Sequence, residues 1–181
     1  MNQFKNALLQ EAGTQQTVGM VVVLAGMIVV VGSALGFEHL GGYAPCALCL
    51  EQRNPYYWGI PLLAIGVLSS IGGFRWPGYV IRGLLLIGFF CMLATAALGV
   101  YHSGVEWGYF DAPLSCGAGL SATSSDAGNL LDSLATAKPP SCADAAGRFL
   151  GLSFAGWNVL AAAALALIAL RSALGKGSRA G

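Results

Sequence analysis

The stretch Val21-Val22-Val23-Leu24-Ala25-Gly26-Met27-Ile28-Val29-Val30-Val31 decides the fold. In water, such a β-branched run reads as a buried strand. It lies, however, inside 26 uncharged residues, Ala12 to Phe37, enough for a helix to cross the ~30 Å of hydrocarbon in a bilayer. Lipid gives the backbone no hydrogen-bonding partner, so the segment must satisfy its own N–H and C=O groups, and helix prevails over strand. Three further uncharged runs read the same way: Asn54 to Phe74 (21 residues), Gly83 to Val105 (23) and Phe149 to Leu170 (22). Together the four runs hold 92 of 181 residues, and only 9% of the chain is charged against a usual ~25%.

The expected fold is all-α, an integral membrane bundle of four transmembrane helices forming one domain over residues 1–181. Spans are expected near 17–37, 56–74, 83–102 and 149–170, with outer loops at 38–55 and 103–148. This composition all but excludes a soluble enzyme. A net charge of +1, with nine Lys and Arg scattered along the chain, leaves no basic stripe for nucleic acid.

The few charges also sort by side. The N-terminal tail, the Arg75–Arg82 connection and the C-terminal tail carry Lys5, Arg75, Arg82, Arg171, Lys176 and Arg179. The other side carries only Arg53, Lys138 and Arg148, against seven acids. The positive-inside rule therefore places both termini in the cytoplasm. The 26-residue first run exceeds the ~7–15 residues of a signal-peptide core, so it reads as a retained helix. The 46 residues from Ser103 to Arg148 are long for a connection, which points to function. Their centre, Gly117 to Gly128, reads as mobile, and Asn129 to Ala137 as a short interfacial helix. Tyr56, Tyr57, Trp58, Trp107, Tyr109 and Phe110 read as boundary aromatics.

Four of the five cysteines fall on the outer side: Cys46, Cys49, Cys116 and Cys142. An even number in an oxidising compartment reads as disulfides. Cys91, inside the third span, reads as a small buried apolar residue. Cys46-Ala47-Leu48-Cys49 is a C-x-x-C, whose two sulfurs close a small, readily reduced ring. Leu50 in place of His removes the c-type haem signature, and the Cys116/Cys142 pair, 25 residues intervening, lacks the spacing of a zinc half-site. A redox role is the favoured reading.

The Cys116/Cys142 pair admits two readings. As a staple, it would stabilise its loop by about 3–4 kcal/mol. The segment is poor in core residues, however, and a mobile arm carrying a disulfide suits a thiol relay better. Arg53 stands four residues after Cys49; on a helix both share one face, where guanidinium and helix dipole favour a thiolate. Snorkelling of Arg53 to the headgroups is the alternative. His39 and His102 are the only histidines, and as a pair they would suit a b-type haem. His102 is the stronger candidate, placed to hydrogen-bond a cofactor carbonyl.

The run Ala44-Pro45-Cys46-Ala47-Leu48-Cys49-Leu50-Glu51-Gln52-Arg53, the segment Tyr101-His102-Ser103-Gly104-Val105-Glu106-Trp107-Gly108 and the Cys116/Cys142 pair resemble the disulfide bond formation protein B (DsbB) family. These are thiol:quinone oxidoreductases of the bacterial inner membrane. The resemblance implies electron flow from a periplasmic thioredoxin-fold partner, DsbA-like, to the loop pair, then to the C-x-x-C and finally to ubiquinone or menaquinone. It implies that Cys116 forms the mixed disulfide with the partner, that Cys142 exchanges with Cys46, and that Cys49 is the quinone-facing thiolate. Arg53 and His102 match positions that contact the quinone in that family. Vitamin K epoxide reductase-like bundles are similar, but there the loop pair precedes the C-x-x-C, the reverse of the order here.

Overall fold

The computed structural model describes residues 13–74, 76–116 and 141–175. The loop centre at 117–128 and the expected interfacial helix at 129–137 lie outside them. Four long helices form the bundle: α1 (Thr14–His39), α2 (Ala47–Ile71), α3 (Gly78–Glu106) and α4 (Phe154–Leu174). A single 3-10 turn, Leu114–Cys116, follows α3. A hairpin of β1 (Arg148–Phe149) and β2 (Leu152–Ser153) leads into α4.

The helices α1, α3 and α4 are long and apolar enough to cross a membrane. With 25 residues α2 is also long enough, but Asn54-Pro55-Tyr56-Tyr57-Trp58 makes its outer half more polar. Only 28%, 28% and 33% of the apolar windows of α1, α3 and α4 are buried within the bundle. The remaining apolar surface, including Val29, Ile65, Phe90 and Leu167, faces outward, which suits hydrocarbon rather than water.

The main core lies along the bundle axis, where Met20 and Met27 of α1 meet Leu63 of α2, Ile81, Leu85 and Met92 of α3, and Ala166 and Ala169 of α4. Small residues let the backbones approach. A Cβ added at Gly99 of α3 would stand 2.7 Å from Val159 Cγ2 and 3.4 Å from the Ala155 carbonyl, at the extensive α3–α4 interface. Cys91 is half-buried against this core, as expected of an apolar filler.

All four helix starts differ from the expected span limits: α1 and α3 begin three and five residues earlier than 17 and 83, and the other two have local causes. Helix α2 begins at Ala47, not after Pro55, because Cys46 caps it: its sulfur accepts the Cys49 N–H at 3.3 Å. Pro55 then sits inside the helix, forfeiting only the bond to the carbonyl of Glu51, an exposed residue that water can serve. Helix α4 begins at Phe154 instead of 149, because Leu150 (φ 51°) and Gly151 (φ 83°) make a two-residue hairpin turn first. Ser153 then caps α4 by accepting the Gly156 N–H at 3.2 Å.

Candidate active site

The antiparallel helices bring the C-terminus of α1, the N-terminus of α2, the C-terminus of α3 and the N-terminus of α4 to one end. There a second apolar cluster gathers Cys46, Leu48, Val105, Cys116 and Cys142, with Cys49 and Tyr101 packed against it. All four cysteines singled out in the sequence are thus brought together. Cys116 and Cys142 are disulfide-bonded, while Cys46 and Cys49 are free. The expectation of a disulfide on a mobile arm is corrected at its two sulfurs: Cys116 is 7% and Cys142 1% exposed, both buried in the same cluster as Cys46. Apolar packing against Leu48 and Val105 is what holds the loop pair to the bundle.

The sulfurs of Cys46 and Cys49 lie 2.7 Å apart, so a disulfide needs only about 0.7 Å of further approach. Cys46 is also 3.5 Å from His102 Nε2. The Cys46 thiol is held below the ordinary thiol range by the hydrogen bond with Cys49 and by the His102 ring, which outweigh its burial. Its place as N-cap, at the positive end of the α2 dipole, works in the same direction. The Cys49 thiol is pushed up by its hydrogen bond with Cys46 and by burial, and Arg53 opposes this only weakly. The N-cap position of Cys46 and the nearby His102 ring favour the Cys46 end of this coupled pair for the thiolate, whereas sequence reasoning put the thiolate on Cys49.

Beside Cys49 opens a cavity of about 310 Å³, lined by Cys49, Gln52, Arg53, Tyr56, His102 and Asn158 among apolar residues such as Val30, Phe37 and Phe154. Cys46 does not line it, so the pair has one sulfur toward the loop disulfide and one toward the cavity. Arg53 reaches the cavity from one helical turn beyond Cys49, and its guanidinium pairs with Glu38 at the end of α1. Its side chain is only 11% exposed, so it is a part-buried ion-pair member and not a snorkelling anchor. Few polar groups in an apolar hollow of this size are what a small-molecule site looks like.

Several residues of the site were missed in the sequence. Gln52 Nε2 lies 2.7 Å from His102 Nδ1, and Gln52 Oε1 lies 2.7 Å from Asn158 Nδ2. Asn158 Oδ1 accepts from the Tyr56 hydroxyl at 2.7 Å, and Thr95 stands 3.3 Å from Asn158 Nδ2. Tyr56, expected as a boundary aromatic, is 2% exposed and belongs to this network, while Tyr57, Trp58, Trp107, Tyr109 and Phe110 are exposed. Glu106 is buried with Oε1 3.8 Å from His102 Nε2. The signal that could have revealed Thr95 and Asn158 is their polarity within otherwise apolar spans, where such groups are costly unless partnered.

The family model described as Disulfide bond formation protein DsbB matches residues 16–171. The chain belongs to the DsbB family. Two curated relatives named "Disulfide bond formation protein B" agree. The one from Saccharophagus degradans is 31% identical over 164 residues, covering 86% of this chain and 91% of the relative. The one from Chromohalobacter salexigens is 30% identical over 165 residues, covering 90% and 93%. No solved structure matches the chain at a significant level. DsbB membership makes this a multi-pass membrane oxidoreductase of disulfide-bond formation, with four transmembrane helices.

The competing chemistries fit the DsbB site less well. His39 is exposed at the end of α1, whereas His102 is buried with both ring nitrogens engaged, so the two do not form a haem-ligating pair. Cys46, Cys49 and His102 converge closely enough to suggest metal ligation. Two thiolates on a tetrahedral zinc, with zinc–sulfur bonds of ~2.3 Å, would however stand roughly 3.7 Å apart. The 2.7 Å sulfur separation is that of a pair poised to bond to itself.

Proposed function

We propose that this chain oxidises the dithiol of a periplasmic thioredoxin-fold protein of the DsbA kind and passes two electrons through its cysteine pairs to a membrane quinone, ubiquinone or menaquinone. The observation that carries this reading is the placement of one continuous sulfur path. The loop disulfide shares a buried cluster with Cys46, Cys46 lies 2.7 Å from Cys49, and Cys49 opens onto the cavity.

A partner thiolate attacks the Cys116–Cys142 disulfide at Cys116, releasing Cys142 as thiolate. The second partner thiol then attacks the mixed disulfide, leaving the partner oxidised and Cys116 reduced. Next, Cys142 attacks Cys46 of an oxidised Cys46–Cys49 pair, releasing Cys49, and Cys116 closes on Cys142 to release Cys46. The result is a Cys46/Cys49 dithiol beside a re-formed Cys116–Cys142 disulfide. Re-forming the Cys46–Cys49 disulfide gives up two electrons and two protons. A quinone bound in the cavity supplies the acceptor for both, becoming quinol.

The cavity residues fit such a ring. Apolar walls from α1 and α4 take its faces, Arg53 presents N–H donors toward its oxygens, and the His102 ring lines the same cavity. The Arg53 cation favours negative charge developing there. The six-to-three division of Lys and Arg supports a bacterial inner-membrane protein with cytoplasmic termini and periplasmic cysteines. A partner lacking its second active-site cysteine should accumulate a mixed disulfide mapping to Cys116 by mass spectrometry. Mapping to Cys46 or Cys49 would contradict the order of transfer.

A further inference from the structure

The polar contacts around His102 have a direction, and one side chain sets it. Thr95 has a single hydroxyl hydrogen, and it is donated to the backbone carbonyl of Gln52 at 2.7 Å. A carbonyl only accepts, so Thr95 Oγ1 is left solely as an acceptor. The Asn158 atom 3.3 Å from that oxygen must then be the amide nitrogen. That same nitrogen lies 2.7 Å from a terminal atom of Gln52, which must therefore be Oε1. Gln52 consequently turns its NH2 group to His102 Nδ1, 2.7 Å away. Nδ1 accepts, and the ring hydrogen is left on Nε2, 3.5 Å from the Cys46 sulfur. At the far end, Asn158 Oδ1 takes the Tyr56 hydroxyl hydrogen at 2.7 Å, closing the chain without a mismatch. The opposite polarity would set the oxygen of Asn158 against a Thr95 oxygen with no hydrogen to offer.

We infer that Thr95 and Asn158 are positioning residues of the redox site, fixing His102 as its Nε2–H tautomer so that the ring donates to the sulfur of Cys46. Neither touches a sulfur, and their effect passes through Gln52 and the ring. Thr95 is fully buried, Gln52 is 5% and His102 3% exposed, so water reaches the chain only from the cavity, at the part-buried Asn158. The consequence for disulfide exchange rests on the Cys46–Cys49 pair being the redox pair proposed above; the tautomer itself does not.

Nitrogen-15 NMR of His102 in the reduced protein, in a His39→Gln background that leaves it as the only histidine, reads the tautomer directly. The wild-type network predicts Nε2–H, and Thr95→Ser should keep it. Asn158→Asp places an acceptor-only group opposite Gln52, so the Gln52 amide should turn over and the ring hydrogen should move to Nδ1. The equilibrium of Cys46–Cys49 with a reference dithiol should then shift toward the disulfide by about tenfold or more, the loss of a donor to a charged sulfur. Thr95→Ser should leave that equilibrium in place. An Nδ1–H ring in the wild type, or an Nε2–H ring unchanged in Asn158→Asp, would overturn the inference. Neither readout uses a quinone, so failure of the quinone reading would not produce these results.

Discussion

Replacing His102 by Leu removes the donor to Cys46 while nearly conserving volume, and its effect can be followed from the geometry. The Nε2–sulfur separation of 3.5 Å is within reach of a hydrogen bond to sulfur, and both groups are buried. A hydrogen bond to a charged group contributes about 1.5–3 kcal/mol. Its loss should raise the depressed Cys46 pKa by about 1–2 units. Because the thiolate belongs to the reduced form, the same loss lowers the reduction potential of the Cys46–Cys49 pair by about 30–65 mV. The sign follows from the direction of the shift. Cys46 is an acid held below its ordinary range, so the stabilisation of the reduced state is complete above the ordinary thiol pKa of ~8.5 and is lost as pH falls through the depressed value. Wild type and variant should therefore converge at acid pH. The assay is the ultraviolet absorbance of the thiolate against pH in a Cys91→Ser, Cys116→Ser, Cys142→Ser background, where only the C-x-x-C titrates. The variant also strands the Gln52 amide, so stability should fall by about 1–3 kcal/mol, and thermal unfolding in detergent serves as the control. An unchanged titration in a folded variant would refute the role given to the ring.

Three further outcomes are expected. Arg53→Ala should slow quinone reduction by about 10²-fold or more, while thiol exchange with the partner stays within a few-fold, as stopped-flow measurement of each half-reaction would show. Equal loss in both would contradict placing Arg53 at the cavity. Cys91→Ser should leave turnover within about twofold, since its side chain only fills space beside Gly59 and the core; a dead enzyme would place it in the electron path. Gly99→Val should force α3 from α4 and cost about 1–3 kcal/mol in thermal unfolding, and an unchanged midpoint would show that the α3–α4 contact is looser than 2.7 Å to Val159 implies.

The scarcity of charge made the bundle legible, because spans in lipid announce themselves by what they lack. The gathering of Cys46, Cys49, Arg53 and His102 at one end was legible for a related reason: reactive and ionisable groups at the edge of so apolar a chain have few bland uses. Residues whose role depends on which helix faces which stayed hidden. Glu38 is an ordinary acid at the end of α1 until α2 brings Arg53 against it. Gln52, Thr95 and Asn158 come from three different helices, and their chain exists only once those helices pack. Pro55 misplaced the start of α2, since its usual force as a helix breaker gave way to the cap at Cys46 and to the tolerance of a helix end near water. The hairpin before α4 did leave a trace, a glycine at Gly151 beside Leu150, but apolar neighbours merged it into the uncharged run.

The central claim is that electrons leave the chain only from the Cys46–Cys49 pair, through the cavity beside Cys49. The most direct measurement adds one equivalent of quinone, anaerobically, to two fully reduced variants and follows quinol formation. With Cys116 and Cys142 both replaced by Ser, the account predicts one quinol per chain and a Cys46–Cys49 disulfide. With Cys46 and Cys49 replaced and the loop pair intact, it predicts none. Quinol formed by the loop pair alone, or none from the C-x-x-C alone, would contradict it.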